Sequence, residues 1–337
     1  MHVLVTGGAG FIGSHYVRML LQAPGSSGLT VTVLDALTYA GNTANLADLA
    51  GDRRLRFRRG DICDRAVLDE LLPGVESLVH FAAESHVDRS IEDSDAFLHT
   101  NVLGTQRLLD AAVRHGVRKF VHVSTDEVYG SIERGSWPET HPVQPNSPYS
   151  ASKASSDLLV LACHRTHGLD VGVTRCSNNY GPMQYPEKVI PLFVTRLIDG
   201  LTVPLYGDGR NVRDWLHVED HCRGIELVRT AGRPGEIYNI GGGTELTNLE
   251  LAERLLAATG ADWSSVRRMP DRKGHDLRYS VDWSKVRDEL GYRPLHDLAT
   301  GLAATVRWYQ DNPGWWRPLS GSLASAPDRC AVPTGSV

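Results

Sequence analysis

Two short segments of the chain combine groups that could move protons during a redox reaction. In the first, Tyr149 and Lys153 stand four residues apart, so both side chains lie on one face of a helix. Ser147 and Pro148 precede them as a predicted cap and first-turn proline. A tyrosine has a pKa of about 10, and a nearby ammonium group favours its phenolate form. The pair therefore predicts a tyrosine base with a lysine partner, although this spacing alone is common on helix surfaces.

The second segment places two carboxyl groups directly after a predicted strand. Asp126 and Glu127 follow Thr125 at the carboxyl end of the apolar run FVHV, the edge at which open α/β sheets bind their ligands. Adjacent side chains project in different directions, so their pKa values can separate, and one can act as an acid and the other as a base. For either carboxylate taken alone, capping of the next turn is a reasonable alternative.

A glycine-rich segment near the N-terminus predicts a dinucleotide site. Gly7, Gly10 and Gly13 lie between the first predicted strand and the first predicted helix. Glycines there allow a tight turn and close approach of a pyrophosphate to the helix N-terminus. Asp35 ends the second predicted strand, 22 residues after Gly13. We expect its carboxylate to bind the adenosine ribose 2′-hydroxyl, which favours NAD over NADP.

The elements of the first 180 residues alternate between short apolar runs and longer amphipathic stretches. This alternation predicts a Rossmann-like, doubly wound parallel sheet with helices on both faces. Runs such as LVHF and FVHVS are typical of strands buried on both sides. Strands are predicted at 3–5, 31–34, 55–58, 77–81, 119–123 and 171–174, and helices at 13–21, 67–72, 100–115 and 150–166.

The regularity fades in the second half, which predicts a smaller, irregular C-terminal lobe built onto the first. We expect an NAD-binding domain over 1–180, with return segments from the second half, and a second lobe over 181–316. Residues 320–337, rich in Ser, Ala, Pro and Gly, predict a flexible tail. In this half, strands are predicted at 204–206 and 236–240, and helices at 187–199, 219–231, 248–259 and 297–312.

Composition excludes several classes of protein. Of the 337 residues 41% are apolar and the net charge is −5, which argues against disorder and against nucleic-acid binding. The N-terminus does not resemble a signal peptide, and no apolar stretch is long enough to span a membrane. The five cysteines are scattered without a CxxC pair, which argues against a disulfide framework or zinc site and favours the cytoplasm.

The motifs together resemble a known family. TGGAGFIGS, YSASK and Arg213-Asp214-Trp215 resemble the extended short-chain dehydrogenases/reductases. FAAESHVDRS, STDEVYGS, NSPYSASK, CSNNYGP and PEKVIP resemble, more specifically, the dTDP-glucose 4,6-dehydratase family, and the resemblance runs from about residue 1 to 316. Val189 and Met183 depart from the expected pattern.

The resemblance implies a hydro-lyase that converts dTDP-glucose to dTDP-4-keto-6-deoxyglucose in deoxysugar or rhamnose biosynthesis. It also implies that the smaller C-terminal lobe over 181–316 is a substrate-binding lobe for the sugar nucleotide. Thr125 would bind the sugar O4, and Tyr149 would take the proton of that hydroxyl while hydride leaves C4 for NAD. Lys153 would hold the nicotinamide ribose and depress the pKa of Tyr149. Glu127 would take the C5 proton and Asp126 would protonate the departing C6 hydroxyl. Hydride would then return to C6, so NAD would be tightly held and regenerated each turnover.

The resemblance also implies a set of contacts and a homodimer built on helices 100–115 and 150–166, with no metal, nucleic-acid or membrane partner. Expected cofactor contacts are Gly7, Gly10, Phe11, Ile12, Gly13, Asp35, Asp61, Ile62, Ala82, Ala83, Thr100, Tyr149, Lys153 and Asn179. Expected substrate contacts are Ser85, Thr125, Asn178, Lys188, Val189, Tyr206, Arg213, Asn248, and Asp271 and His275 with the residues between them.

Alternative functions share parts of this pattern. UDP-glucose 4,6-dehydratases have a similar sequence pattern. A nucleotide-sugar 4-epimerase needs Thr125, Tyr149 and Lys153 but no acid–base pair for water loss, and a decarboxylase does not need Asp126. A non-enzymatic NAD-sensing module would need the glycines but not the four catalytic candidates Asp126, Glu127, Tyr149 and Lys153.

Three further motifs resemble metal, phosphate or sugar sites, but we expect structural roles for them. His217 and His221 have the spacing of a zinc helix but no third ligand in sequence, and Asp220 between them is expected to cap the following helix. The triplet Gly241-Gly242-Gly243 is expected to shape a turn. Trp315-Trp316 is expected to dock the terminal segment rather than to stack on a sugar.

Overall fold

The computed structural model describes residues 1–271 and 275–324. Its strands are His2–Thr6 (β1), Thr30–Asp35 (β2), Leu55–Arg59 (β3), Ser77–His80 (β4), Lys119–Thr125 (β5), Asp170–Cys176 (β6), Asn178–Tyr180 (β7), Val203–Tyr206 (β8), Val212–His217 (β9), Glu236–Ile240 (β10), Glu245–Thr247 (β11) and Val266–Met269 (β12). Its α-helices are Phe11–Gln22 (α1), Arg65–Leu71 (α2), Val87–Glu92 (α3), Asp95–Phe97 (α4), Thr105–Arg114 (α5), Pro148–His167 (α6), Val189–Ile198 (α7), Val218–Ala231 (α8), Asn248–Thr259 (α9), Ser284–Leu290 (α10), Leu298–Asp311 (α11) and Pro313–Ala324 (α12). Within this described part, no helix has both the length and the apolar character needed to cross a membrane.

The main sheet has seven parallel strands in the order β10-β6-β5-β4-β1-β2-β3. Successive residues of a strand face opposite sides, and β1 shows this directly. Val3 and Val5 join the apolar core formed with α1 and α8, whereas Leu4 joins the core formed with α2, α5 and α6. The predicted doubly wound sheet with helices on both faces is therefore confirmed, and β10 returns to it from the second half of the chain.

The rest of the second half forms two small sheets and a third apolar core. Strands β11, β9 and β7 make one sheet, and β12 and β8 make the other. Residues of α7, α9, α11 and α12 pack together beside them around Phe193, Leu255 and Trp316. The predicted strands and helices agree with the observed ones to within two residues at each end, with one exception near residue 100.

That exception is a π-helical segment, Leu98–Gly104, which precedes α5 where one α-helix from residue 100 was predicted. Its cause lies in Asn101, a buried side chain that accepts a hydrogen bond from the Glu84 amide at 2.9 Å and donates to the Ser152 hydroxyl at 2.8 Å. A polar residue tied to two other segments favours a local widening of the helix, and such π-bulges occur frequently at functional sites.

The C-terminal expectations are partly corrected. Helix α12 continues to Ala324, so the start of the segment predicted as a tail is helical. Residues 325–337, which include Cys330, lie outside the described residues, as do 272–274. Trp316 is fully buried and its indole donates to the Tyr309 carbonyl at 2.7 Å, which confirms that this segment docks on the protein.

Candidate active site

The glycine-rich turn lies where β1 passes into α1. Gly7 has a φ of +71°, and a Cβ there would lie 2.5 Å from the amide nitrogen of Ala82. Glycine therefore allows both the left-handed turn and the close approach of the segment after β4. Helix α1 begins at Phe11, so its unpaired amide groups face the cavity that Gly10 and Ile12 also line.

A cavity of about 340 Å³ follows this turn along the carboxyl ends of the main-sheet strands. All fourteen predicted cofactor residues line it: Gly7, Gly10, Phe11, Ile12, Gly13, Asp35, Asp61, Ile62, Ala82, Ala83, Thr100, Tyr149, Lys153 and Asn179. The Asp35 carboxylate is held by the amides of Ala9 at 2.9 Å and Leu37 at 2.8 Å. The amides at the start of α1 suit the pyrophosphate of NAD, and the fixed carboxylate of Asp35 suits its adenosine ribose.

Tyr149 and Lys153 lie in the first turns of α6, which begins as predicted. The Ser147 hydroxyl accepts from the Ser150 amide at 3.1 Å, and Pro148 is the first helical residue. Both Tyr149 and Lys153 are buried, and the Lys153 ammonium donates to the Val123 carbonyl at 2.8 Å. The two side chains thus lie on one wall of the cavity.

Burial dominates the electrostatics of this pair in the protein alone. Burial, followed by the nearby Glu127 carboxylate, raises the pKa of Tyr149 well above its usual value. Burial lowers the pKa of Lys153 to about 8. Without NAD the tyrosine is therefore held as a neutral phenol, because a buried phenolate is poorly solvated.

The carboxyl pair lies in a 3₁₀ turn, Asp126–Tyr129, at the end of β5. Asp126 is 3% exposed, its Oδ1 accepts from the Thr125 hydroxyl at 3.3 Å, and its Oδ2 has no partner among the described residues. Burial, then repulsion from Glu127 and Asp214, raises the pKa of Asp126 well above its usual range. Asp126 therefore holds its proton to a higher pH than an exposed carboxyl group and is suited to donate it, whereas Glu127 is less buried and lines the cavity beside it.

A second cavity of about 210 Å³ opens from the first, and the two share Glu127, Asn178, Glu187 and Lys188. Most of the predicted substrate residues line it: Asn178, Lys188, Val189, Tyr206, Arg213, Asn248 and His275. Ser85 and Thr125 line the cofactor cavity instead. The carboxyl pair thus lies close to the junction of the two cavities.

Two cations that line the second cavity are fixed by the protein. The Lys188 ammonium donates to the Ser85 carbonyl at 2.8 Å. The Arg213 guanidinium stands 4.2 Å over the Tyr279 ring and donates to the Asp276 carbonyl at 3.0 Å. Arginine and lysine so held offer a bidentate donor and a point charge for a diphosphate.

Asp271 departs from its predicted role. It lines neither cavity, and its carboxylate contacts Nδ1 of His275 at 2.7 Å. It therefore positions a lining residue rather than lining the cavity itself. The part of this predicted contact that covers 272–274 lies outside the described residues.

Sequence reasoning missed several lining residues, among them Tyr185, Glu187 and Tyr279. Glu187 lies within the PEKVIP segment quoted above, so a closer examination of that motif could have found it. Tyr279 lies in an irregular segment far along the chain from the other site residues, and no local signal marks it.

The His217 and His221 pair has structural roles in the fold. His217 accepts the Glu219 amide at 3.3 Å at the start of α8 and stacks on His296 at 4.0 Å. His221 is buried and bonds to Asn179 at 2.9 Å. The predicted cap role of Asp220 is wrong: because α8 begins before it, its carboxylate accepts instead from the Leu295 and His296 amides.

The Gly241–Gly243 segment forms a turn, as predicted, around a protein carboxylate. Asp214 accepts the amides of Gly242 at 2.9 Å and Thr244 at 2.7 Å. This turn therefore binds a side chain of the fold rather than a phosphate.

Comparison with known proteins agrees with this geometry. The profile of the family described as GDP-mannose 4,6 dehydratase matches residues 4–305. A dTDP-glucose 4,6-dehydratase of Streptomyces griseus is 64% identical over 96% of this chain and 98% of that protein, and one of Streptomyces niveus is 62% identical over 95% and 96%. A solved crystal structure is also similar, that of DesIV, a dTDP-glucose 4,6-dehydratase from Streptomyces venezuelae with NAD and TYD bound. Its sequence is 65% identical, and the match covers 95% of this chain and 100% of that one with a TM-score of 0.93.

Proposed function

The chain belongs to the GDP-mannose 4,6-dehydratase family, and from that premise we propose that it is an NAD-dependent hydro-lyase that converts dTDP-glucose to dTDP-4-keto-6-deoxyglucose, a step of deoxysugar biosynthesis. The observation that carries the proposal is the buried Asp126, with its raised pKa, beside Glu127 and next to Tyr149 and Lys153. Loss of water needs an acid for the leaving hydroxyl and a base for the neighbouring carbon.

Oxidation at C4 is the first half of the proposed reaction. Tyr149 removes the proton of the C4 hydroxyl, Thr125 hydrogen bonds to O4, and Lys153 holds the nicotinamide ribose. Bound NAD supplies the hydride acceptor of this half and the hydride donor of the second. Its oxidised ring also adds the positive charge that favours the phenolate, which Lys153 alone does not achieve.

Elimination is the second half. The new 4-ketone acidifies C5, Glu127 takes the C5 proton, and Asp126 gives its proton to the C6 hydroxyl, which leaves as water. Hydride then enters at C6 and a proton returns to C5. Tyr149 has gained one proton and Asp126 has lost one, so the catalytic cycle closes when one proton passes from the tyrosine to the aspartate.

The two cavities divide the ligands between two parts of the chain. We assign residues 1–180, with β10, to NAD and residues 181–316 to the sugar nucleotide. The cations Lys188 and Arg213 bind the substrate diphosphate, which accounts for anion binding by a chain whose net charge is −5. Four unpaired cysteines, Cys63, Cys163, Cys176 and Cys222, support a cytoplasmic location.

An assay of the purified wild type tests the function. Incubated with dTDP-glucose and no added NAD, the protein should release a product lighter by one water, with UDP-glucose in the same mixture consumed more slowly. A sugar nucleotide of unchanged mass, such as dTDP-galactose, would identify an epimerase and sink the dehydratase proposal. Preferential loss of water from UDP-glucose would overturn the choice of nucleotide alone.

We also propose a homodimer formed by α5, α6 and the π-helical segment. Three leucines of this face are exposed in the single chain: Leu98 at 52%, Leu103 at 39% and Leu158 at 59%. Covering such side chains is a common reason for association. We expect sedimentation analysis to give twice the chain mass for the wild type and a single chain mass for Leu158→Glu. A monomeric wild type contradicts this proposal.

A further inference from the structure

We infer that the C-terminal helix α12 is a cofactor-retention element, in which Trp315 acts through Asn45 on the glycine-rich turn. This inference rests on the proposed binding of NAD in the first cavity. It assigns Trp315 and Asn45 as positioning residues, since neither lines either cavity.

The outer half of the connection joins α12 to the segment after β2. The indole Nε1 of Trp315 donates to Oδ1 of Asn45 at 2.9 Å. Asn45 is 1% exposed, and its backbone carbonyl accepts a hydrogen bond from the Arg18 guanidinium at 2.8 Å. Trp315 in turn packs edge-on against Trp308, with 5.1 Å between ring centroids. A residue of the last described helix therefore satisfies a buried acceptor of the N-terminal domain.

The inner half joins Asn45 to the turn itself. Its Nδ2 donates to the Ala9 carbonyl at 2.9 Å, and the Asn42 amide donates to the same oxygen at 3.0 Å. The Ala9 amide donates to Asp35 at 2.9 Å. The carbonyl and the amide of Ala9 are thereby both fixed. Because Ala9 lies between Gly7 and Gly10, which line the cavity, the orientation of the amides at the start of α1 is fixed as well.

These hydrogen bonds stabilise one orientation of the Asn45 side-chain amide. With Trp315 present, Oδ1 of Asn45 must face the indole and Nδ2 must face Ala9. Without the indole N–H, Oδ1 is a buried acceptor with no donor, and such a group costs free energy until its surroundings rearrange. Rearrangement of Asn45 removes one of the two hydrogen bonds to the Ala9 carbonyl and leaves only the Asn42 amide to hold that side of the phosphate-binding turn.

The matched variants are Trp315→Phe and Trp316→Phe. Each removes one indole N–H from neighbouring positions of α12, but Trp316 donates to the Tyr309 carbonyl within the C-terminal core. The loss of one buried hydrogen bond corresponds to roughly a 5- to 30-fold change in an equilibrium. We expect NAD to dissociate from Trp315→Phe about 5- to 30-fold faster than from the wild type, and from Trp316→Phe within about 2-fold of the wild-type rate.

The readout is the NAD that remains on each purified protein after timed gel filtration, quantified after denaturation, together with the thermal midpoint of the NAD-free protein. Faster release from Trp315→Phe, with a midpoint no lower than that of Trp316→Phe, supports the inference. Release at the wild-type rate overturns it. Equal acceleration in both variants also overturns it, because the effect would then follow from general loosening of the C-terminal core. A wild type that holds no NAD would overturn the cofactor assignment first and this inference with it.

Discussion

Replacing Asp126 by asparagine is expected to stop the reaction after its first half. Asparagine has the size of aspartic acid and carries no charge, which suits this buried position, but it cannot act as the acid that gives a proton to the C6 hydroxyl. We expect elimination to slow by roughly 10²- to 10⁴-fold, while oxidation at C4 proceeds. Reduced cofactor and a 4-keto hexose nucleotide should therefore accumulate, which absorbance and mass spectrometry of the quenched mixture can measure.

The matched control for that variant is Asp220→Asn. Asp220 is also fully buried, but it binds amides of the segment before α11 and lines neither cavity. Its replacement should lower the thermal midpoint and leave the ratio of reduced cofactor to product unchanged. If Asp126→Asn abolishes oxidation as completely as loss of the tyrosine base does, then Asp126 is not the acid of the elimination step.

Replacing Tyr149 by phenylalanine is expected to prevent both halves. The ring keeps its packing, including the edge contact with Phe97 at 6.3 Å between centroids, and only the hydroxyl is lost. Without a base at O4, hydride transfer from C4 should fall by about 10²- to 10⁴-fold. Neither reduced cofactor nor keto sugar should appear in a stopped-flow experiment with bound NAD.

Tyr129→Phe is the corresponding control. The Tyr129 hydroxyl is buried and donates to Asn239 at 3.0 Å, and the residue lines neither cavity. Its loss should affect stability more than the rate of oxidation. Rapid formation of reduced cofactor in Tyr149→Phe would show that another group removes the O4 proton.

The cofactor site was predictable because its signals are local. Gly7, Gly10 and Gly13 stand within one turn of the chain, Asp35 ends the next strand, and Lys153 follows Tyr149 by one helical turn. The glycines share one strand-to-helix turn, the catalytic pair shares one helix, and Asp35 ends the strand that pairs with β1, so the sequence pattern places these side chains. All of them line the observed cavity.

The substrate cavity needed the family resemblance, because it is built from distant segments. Lys188, Arg213 and His275 come from different elements, and tertiary packing brings them to one cavity. Asp271 stays a predicted substrate contact, and in the protein alone its carboxylate contacts His275, which lines the cavity.

The electrostatics of the catalytic pair could not be predicted from spacing. One turn of separation suggests that Lys153 lowers the pKa of Tyr149, but burial has the larger effect and raises it. Desolvation depends on everything packed around a group, and that information is spread over the whole chain. The same reasoning applies to Asp126, whose pKa is raised by burial, by Glu127 and by Asp214 on a distant strand.

The most direct test of the account follows the hydride. The wild type is incubated with dTDP-glucose that carries deuterium at C4, and the product is examined by NMR and mass spectrometry. Our account predicts a 4-keto-6-deoxy sugar with the deuterium at C6, because the hydride removed from C4 is returned there. Deuterium recovered at C4 of an unchanged-mass hexose, or a dehydrated product from which the deuterium has been lost, would contradict it.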